Sequence, residues 1–266
     1  MLEGEFFRFE DGSLVLCRDA ISELHLAVAD SWLVEDGKVR SLEAHFERFE
    51  RWVSAASPRL APQLDAFFEL VSAAIPTSGR YFPRIELHQA TSDGLLPSDT
   101  LFLRLRTAPE QLGAVRLWTL DEPDPRSNPA VKGPDLSLCM QLRRKAQLHG
   151  ADETVLVDSD GYVIEGALSS IVWWRGDVLC SSNSDTSWLP SITRAEVFEL
   201  AKSAGFETRV ERVRPDDLRG CEIWALSSLQ GIRPVVEWQQ IGDDIGPATH
   251  LETFQRRLRM LARVIE

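Results

Sequence analysis

The chain has 266 residues, of which 44% are hydrophobic and 26% charged, and its formal net charge at pH 7 is -12. This composition is typical of a globular protein with a sizeable core, and the acidic balance argues against nucleic acid or an anionic membrane as the main partner. The sequence has no apolar run that could span a bilayer, and its acidic start lacks the basic region of a signal peptide, so we expect a cytoplasmic protein.

Strands are predicted within residues 5–18 and 24–40, each around an Asp-Gly turn. A helix follows that Ser41 can cap, and His45 and Arg48 lie three residues apart on it, so their side chains point into a common region. The alternative is that Arg48 forms an ordinary surface ion pair, which is typical of an arginine on a helix. The remaining elements of this half are predicted as a helix over 62–74 and strands near 81–90 and 99–106.

Mixed strands and helices without an internal repeat predict an α/β (α+β) protein of two domains. We expect a small N-terminal α/β domain over residues 1–106, a linker over 107–113 and a larger C-terminal domain over 114–266. The loop at 121–126 is rich in proline and charge, which is typical of either a mobile surface segment or the wall of an active site.

The larger domain is predicted to hold a helix near 135–149 that ends at a glycine, several hairpins and a helix whose start is marked by Thr193 and Glu196 as a capping box. Its other elements are predicted as strands at 114–119, 154–157, 162–165, 170–174, 178–181, 207–211 and 222–227, and a final amphipathic helix from about residue 250.

Few side chains could supply reactive nitrogen or sulfur. Four cysteines and five histidines are scattered without metal-type spacing, so we predict free thiols and no metal site. The only lysines are Lys38, Lys132, Lys145 and Lys202. Lys38 lies in a turn, and Lys145 and Lys202 lie in helical patterns that favour a solvated face. Lys132 alone stands beside glycine and proline at the boundary of an element.

Three short motifs follow one another along the chain. Lys132 comes first, Glu165 lies at the end of a strand, and residues 189–194 open a helix. They suggest an amine nucleophile, a carboxylate that can match a protonated ring nitrogen, and an anion site at a helix N-terminus. These are the three features that pyridoxal 5'-phosphate (PLP) requires of a protein.

These motifs resemble those of the fold-type IV PLP enzymes, which include branched-chain aminotransferases, D-amino-acid aminotransferases and aminodeoxychorismate lyases. The resemblance extends over nearly the whole chain and is weakest over 50–115. The matching elements are the Asp-Gly turn and His-x-x-Arg helix over 36–48, the lysine at 132 with the Gly-x-Asp-Glu element at 150–153, the strand over 161–166, the Leu-x-x-Ile-Thr-Arg element at 189–194, and the serine pair 227–228 before 231–235.

The resemblance implies a fold-type IV enzyme that forms a homodimer, holds PLP between its two domains and takes an amino acid and a 2-oxo acid as substrates. Lys132 would form the Schiff base and move the substrate proton, Glu165 would hold the protonated ring nitrogen, and Ser31 would assist catalysis. The residues implied to bind the cofactor are Arg48, Lys132, Glu165, Leu189, Ile192, Thr193, Ser227 and Ser228.

Several departures from the family pattern bear on which reaction the protein catalyses. Ser137 stands where branched-chain aminotransferases have a tyrosine, and residues 88–90 replace an Arg-Gly that can receive a substrate carboxylate. The resemblance therefore favours a PLP-dependent aminotransferase first. The alternatives are an aminodeoxychorismate lyase, which forms 4-aminobenzoate and pyruvate in the folate pathway and has a hydroxyl residue where Ser31 falls, and a non-catalytic binding protein with the PLP fold.

Overall fold

The computed structural model describes residues 4–17, 26–90, 98–182 and 188–265, and the chain forms two compact units. The first unit comprises Met1–Glu110, Val131–Pro134 and Leu261–Glu266, and the second comprises Gln111–Ala130 and Asp135–Met260. Both contain strands and helices, so the predicted α/β class is confirmed.

Most strands and helices lie close to their predicted positions, but the strands over Gly231–Trp238 and Arg263–Val264 were not predicted. The strands are β1 (Gly4–Glu10), β2 (Ser13–Leu16), β3 (Leu26–Ser31), β4 (Val34–Glu35), β5 (Lys38–Val39), β6 (Arg80–Tyr81), β7 (Arg84–His88), β8 (Thr100–Arg106), β9 (Val115–Thr119), β10 (Glu153–Val157), β11 (Val163–Gly166), β12 (Ser170–Arg175), β13 (Val178–Ser182), β14 (Glu207–Glu211), β15 (Glu222–Ser227), β16 (Gly231–Trp238) and β17 (Arg263–Val264). The α-helices are α1 (Leu42–Ala56), α2 (Leu64–Ala74), α3 (Leu136–Leu148), α4 (Ile192–Ser203) and α5 (Leu251–Arg259), and a 3-10 helix covers Pro58–Gln63.

The first unit is built on an antiparallel five-stranded sheet with the order β2-β1-β8-β7-β3, beside a small four-stranded sheet with the order β17-β5-β4-β6. Residues of α1 and α2 pack with one face of the larger sheet in a single apolar core, which includes Phe49, Phe67 and Leu87. Because side chains alternate along a strand, the residues between these apolar positions on β7 face the other side.

The predicted cap of α1 is only partly correct. Ser41 does precede the first helical residue, but its φ is 49° and its side chain makes no capping hydrogen bond. This left-handed conformation follows the tight turn at Asp36 and Gly37, where φ is also positive. The helix start is therefore set by the geometry of the preceding hairpin, and by burial of Leu42 and Phe49, rather than by a serine cap.

The second unit contains an eight-stranded mixed sheet with the order β11-β10-β9-β16-β15-β12-β13-β14. The strand pairs β9–β10, β9–β16 and β13–β14 are parallel. Helix α3 buries Cys139, Leu142 and Ala146 in a cluster with Trp118 of β9 and Leu156 of β10. The sheet thus places β11, at one edge, next to the strand on which α3 packs.

The start of α4 differs from the predicted capping box. Ser191 is the N-cap, in an extended conformation, and its Oγ accepts a hydrogen bond from the Arg194 N–H at 3.2 Å. Thr193 and Glu196 lie within the helix, so the prediction that they form the box is wrong. Pro190 precedes Ser191, and serine is as good an N-cap residue as threonine, so the N-cap lies two residues earlier than predicted.

The four cysteines are free thiols, and three of them, Cys139, Cys180 and Cys221, are buried. Burial raises the pKa of Cys139 and that of Cys180 to about 12, so both are neutral at physiological pH. Within the described residues, every helix is too short or too polar to cross a bilayer.

Candidate active site

Lys132 lies against the edge strand of the five-stranded sheet in the first unit. Its carbonyl accepts a hydrogen bond of 2.6 Å from the Ala29 N–H of β3. Its side chain is partly buried, and the preceding Val131 packs on the apolar core of this unit. The lysine backbone is therefore held at a defined point along β3.

The three other lysines have ordinary surface positions. Lys38 is exposed, Lys202 forms an ion pair of 2.7 Å with Glu199, and the side chain of Lys145 is 44% exposed with Glu122 at 3.7 Å. Their surroundings agree with the solvated positions predicted for them, which leaves Lys132 as the candidate amine.

Gly133 allows the chain to pass this close to β3. Its φ is +152°, and a Cβ added here would lie 2.8 Å from the Ala27 carbonyl oxygen and 2.9 Å from the Val28 Cα. Both neighbours are backbone atoms of a strand and cannot move independently. Any side chain at this position would push the lysine segment away from the sheet.

We therefore expect Gly133→Ala to destabilise the protein by more than the cost of a strained backbone, which is about 1–3 kcal/mol. The measurement is urea unfolding of the variant and of wild type. Gly12→Ala is the matched control, because Gly12 also has a positive φ of +72° but has no atom within 4 Å of an added Cβ. Equal losses in the two variants would show that the contact with β3 is unimportant.

The predicted pair on α1 converges on a buried carboxylate. Asp30 of β3 is fully buried, and its Oδ1 accepts hydrogen bonds from His45 Nδ1 at 2.7 Å and from Arg48 Nη2 at 2.8 Å. Its Oδ2 accepts a bond of 2.7 Å from Arg48 Nε. The expectation that His45 and Arg48 share one region is thus confirmed, and Arg48 is buried rather than part of a surface ion pair.

This cluster fixes the ionisation of Asp30. Burial alone would raise the pKa of the carboxyl, but the Arg48 guanidinium and the His45 ring hold it far below its usual range. Ser31, the next residue, donates its backbone N–H to Asp30 Oδ1 at 2.7 Å and is itself buried. Two of the predicted site residues, Ser31 and Arg48, are therefore brought together by a residue that the sequence analysis did not single out.

The opposite face of the same sheet has a second buried ionic cluster. Glu86 of β7 accepts hydrogen bonds from Arg84 Nε at 2.6 Å, His88 Nε2 at 2.7 Å and Arg104 Nε at 2.8 Å. The Glu86 side chain is fully buried, and these partners keep its pKa below the usual range although burial opposes them. His88, which stands in place of a family arginine, is therefore occupied with Glu86.

Glu165 of β11 is the central charged residue of the second unit. Its side chain is 5% exposed, and its Oε1 accepts hydrogen bonds from Arg126 Nη1 at 2.8 Å and from the Leu189 N–H at 3.3 Å. Arg126 is also held by Asp124, through Nη2 at 2.7 Å and Nε at 3.0 Å. Within the described residues, the hydrogen bonds that Glu165 accepts go to Oε1, so Oε2 is the oxygen that a ligand can meet.

Burial and ion pairing act on Glu165 in opposite directions. Burial raises the pKa of its carboxyl above the usual value, and the Arg126 guanidinium opposes that rise. Burial would lower the pKa of Arg126, but Asp124 and Glu165 together raise it, so Arg126 stays charged. A cation or an N–H donor placed at Oε2 would favour the ionised form of Glu165.

The N-terminus of α4 presents features of an anion site. The amides of Ile192 and Thr193 belong to the first helical turn, whose N–H groups have no carbonyl partner within the helix and lie at the positive end of its dipole. The Arg194 guanidinium lies over the Trp188 ring, with Cζ 3.2 Å from the centroid. Its Nη1 is buried without a hydrogen-bond partner in the described part of the chain, and burial lowers the pKa of Arg194 to about 10.

The remaining predicted residues lie at the ends of elements in this unit. Leu189, three residues before α4, is partly buried and contacts Glu165 through its backbone. Ser227 ends β15, and its Oγ accepts a hydrogen bond of 3.1 Å from the Gln230 N–H. Both Ser227 and Ser228 are partly buried, and a hydroxyl that accepts one bond can still donate its own hydrogen.

Among the residues that sequence reasoning missed, Asp30 and Arg126 each hold a predicted site residue in place. Asp30 lies next to Ser31, but a single acidic residue in a strand gives no local signal of a buried partner. Arg126 lies in the loop that we interpreted as either surface or active-site wall. Arg126 is buried against Glu165, so this part of the loop is not a mobile surface segment. The described residues contain no group of three or more histidine, cysteine or acidic side chains arranged for a metal ion.

The residues of the second unit fit PLP chemically. A buried carboxylate whose second oxygen accepts no bond from the described residues suits a protonated pyridine nitrogen, and a helix N-terminus beside a buried guanidinium nitrogen without a partner among those residues suits a phosphate. In the first unit, Lys132 offers an amine on a backbone segment that is bonded to β3.

Comparisons with known proteins agree with this interpretation of the sequence. Part of the chain is 29% identical over 139 residues to the branched-chain-amino-acid aminotransferase of Salmonella typhimurium, covering 51% of this chain and 45% of that protein. The chain is also 30% identical over 100 residues to the aminodeoxychorismate lyase of Bacillus subtilis, covering 36% of this chain and 34% of that protein. The chain thus spans less than half the length of these curated relatives.

Solved structures match almost the whole chain. A hypothetical aminotransferase from Mycobacterium tuberculosis has a TM-score of 0.78 and 19% identity in its PLP-bound form, covering 97% of this chain and 98% of that chain. The form of that protein with α-ketoglutarate and PMP also has a TM-score of 0.78 and 19% identity, covering 98% and 99%. These similarities establish the fold. The family model for amino-transferase class IV matches residues 27–238, and the chain therefore belongs to the class IV aminotransferase family.

Proposed function

We propose that the protein is a PLP-dependent aminotransferase that transfers an amino group between an amino acid and a 2-oxo acid. The observation that carries this proposal is Glu165, a buried carboxylate whose Oε1 is held by Arg126 and by the Leu189 amide, while no described residue donates a hydrogen bond to Oε2. Family membership and the PLP and PMP named for its structural neighbours support the cofactor.

Each residue would have a distinct task. PLP supplies an aldehyde that captures amines and a ring that withdraws electrons from the substrate Cα. The Lys132 Nζ would hold the cofactor between turnovers and then act as the base at the substrate Cα. Glu165 would keep the ring nitrogen protonated, and Arg126 would keep Glu165 in place. Leu189 would pack against the ring.

The phosphate would be bound by several donors. The amides of Ile192 and Thr193 offer N–H groups at the start of α4, and the hydroxyls of Ser227 and Ser228 add neutral donors. Arg48 would add a charged donor, which is the strongest kind of phosphate contact. We also propose a cytoplasmic homodimer. The free thiols suit a reducing compartment, and the resemblance to the family supports the dimer.

An aminodeoxychorismate lyase is the second candidate. Ser31 is buried on β3, two residues from Ala29, which binds the Lys132 carbonyl. A hydroxyl this close to the lysine segment could assist an elimination. The 30% identity over 100 residues to the lyase of Bacillus subtilis supports the same interpretation. In that case the substrate would be aminodeoxychorismate rather than an amino acid and a 2-oxo acid.

A single-turnover assay distinguishes the candidates. We expect excess amino donor, without a 2-oxo acid, to yield one equivalent of product per bound cofactor and then to stop. The cofactor is then left in its amine form, and added 2-oxo acid should restart the reaction. Continued release of pyruvate from aminodeoxychorismate without an acceptor would decide for the lyase, and Ser31→Ala should then slow it. A protein whose PLP absorbance no donor changes would be a binding protein without catalysis.

A further inference from the structure

Asp30 lies on β3 between two features of the proposed function, Arg48 and the segment that carries Lys132. Its oxygens accept four hydrogen bonds, one each from the Ser31 N–H and His45 Nδ1 and two from Arg48. A fully buried carboxylate needs this degree of compensation, because an uncompensated charge in a protein interior is strongly unfavourable. Asp30 is therefore ionised and saturated by its neighbours.

The two bonds to Arg48 fix the plane of its guanidinium. Nε donates to Oδ2 at 2.7 Å while Nη2 donates to Oδ1 at 2.8 Å, which is the parallel two-bond geometry that gives arginine–carboxylate pairs their directional specificity. One edge of the guanidinium is used in this way, so the Nη1 corner is directed away from Asp30. His45 contacts the same carboxylate from one turn earlier on α1 and limits how the carboxylate can rotate.

The adjacent residue of β3 binds the lysine segment. The Ala29 N–H donates to the Lys132 carbonyl at 2.6 Å, and Gly133 packs on the backbone of Ala27 and Val28. Neighbouring residues of one strand thus contact both the lysine segment and Arg48. Two adjacent residues of β3, Ala29 and Asp30, therefore set the position of Arg48 relative to Lys132.

We propose that Asp30 is a positioning residue for the cofactor, which orients Arg48 toward the PLP phosphate in a fixed relation to Lys132. This inference rests on the proposed function, because it requires Arg48 to bind the phosphate. A purely structural Asp30 would stabilise the buried Arg48 without affecting how PLP binds. The positioning role and the structural role predict different couplings between substitutions at Asp30 and Arg48 in their effects on PLP affinity.

The test is a cycle of Asp30→Asn, Arg48→Ala and the double variant, each prepared as full-length apo-protein and titrated with PLP. Asn places an NH2 group opposite Arg48 Nε or Nη2, so the guanidinium must turn away. We expect each single variant to bind PLP about 10 to 100 times more weakly, as for loss of one charged hydrogen-bonding partner. We expect the double variant to bind no more weakly than Arg48→Ala, because Asp30 acts through that arginine.

Wild-type affinity in Asp30→Asn, or losses that multiply in the double variant, would overturn the role of Asp30. Unchanged affinity in Arg48→Ala would instead refute the phosphate role of Arg48. Absence of PLP binding in the unmodified protein would refute the proposed function as a whole. Glu86→Gln is the matched control, because it neutralises another buried carboxylate with arginine partners in the same unit. It should lower the thermal stability and leave the PLP affinity unchanged.

Arg48→Lys extends the test to the case in which Asp30→Asn does not fold. Asp30 then keeps a cationic partner, so the buried charge stays compensated. A lysine ammonium drawn to Asp30 lacks the planar geometry that lets arginine bind two anions at once. We expect a loss of PLP affinity similar to that of Arg48→Ala, with apo-protein unfolding close to wild type. Wild-type affinity in Arg48→Lys would show that Arg48 supplies only charge, and the positioning role of Asp30 would be wrong.

Discussion

Replacing Lys132 by alanine should reduce turnover by at least about 10³-fold, because in the proposed function this one side chain would act as both the nucleophile toward the cofactor and the base at the substrate Cα. The same variant should lose covalent attachment of PLP. Lys132 is the lysine whose backbone is bonded to β3, and the other three lysines are exposed or half-exposed on the surface. Steady-state turnover and the mass of the protein after reduction with borohydride in the presence of PLP measure both effects.

Lys145→Ala is the matched control for this experiment. Lys145 lies on α3, its side chain is 44% exposed, and its ion pair with Glu122 has a length of 3.7 Å. An exposed pair of this kind contributes little to stability, so the variant should keep its activity and its reducible adduct. Finding the adduct on Lys38, Lys145 or Lys202 in the unmodified protein would show that the assignment to Lys132 is wrong.

The sequence was sufficient for features that depend on local patterns. Hydrophobic periodicity and turn residues placed most strands and helices to within a few residues, although the strand over Gly231–Trp238 was missed, and the helix predicted from Thr193 begins at Ile192. Lysine is scarce in this chain, and only Lys132 stands beside glycine and proline, so its separation from the other lysines could also be predicted. The structure adds the reason for Gly133, which is close contact with the backbone of β3.

Partners that come together only in the folded chain could not be predicted. Asp30 and Arg48 are 18 residues apart, on a strand and a helix, and Arg126 and Glu165 are 39 residues apart. No periodic pattern records such pairs, because each depends on how separate elements pack. The capping box at Thr193 failed for a related reason. Ser191 lies directly before the first helical residue and caps the helix. Both Ser191 and Thr193 are acceptable N-cap residues, and composition alone does not show which of them is used.

Glu165→Gln should retain PLP and lose about 10²–10³-fold in turnover, the usual cost of removing one aimed electrostatic group. The variant should keep its structure. The bonds from Arg126 and from the Leu189 amide both go to Oε1, which the glutamine oxygen can replace. Only the group at Oε2 changes, from a carboxylate oxygen to an NH2 that cannot accept the ring N–H. The loss should appear in the exchange of the substrate Cα proton, measured by NMR in deuterated water.

The same substitution tests the electrostatics of the apo-protein. The pKa of Glu165 is raised by burial above its ordinary value of 4.5, so the folded state binds its proton more tightly than the unfolded state does. Stability from this group is therefore fully present below the unfolded pKa and is lost as pH rises through the folded pKa. Glutamine does not titrate. The stability of Glu165→Gln relative to wild type should be higher at about pH 8 than at about pH 5, as measured by urea unfolding of apo-protein.

The Arg126→Met variant separates the role of the Glu165 carboxylate from the role of the arginine that holds it in place. This variant leaves Glu165 ionisable but removes the guanidinium that opposes the rise of its pKa, so the pKa of Glu165 should rise further. The loss of turnover in Arg126→Met should then depend on pH and become smaller as rising pH ionises Glu165. The turnover of Glu165→Gln should not change with pH through this group. If the Cα proton exchanges at the wild-type rate in Glu165→Gln, Glu165 takes no part in the reaction. If the loss in Arg126→Met does not depend on pH, the arginine acts by some route other than the charge of Glu165.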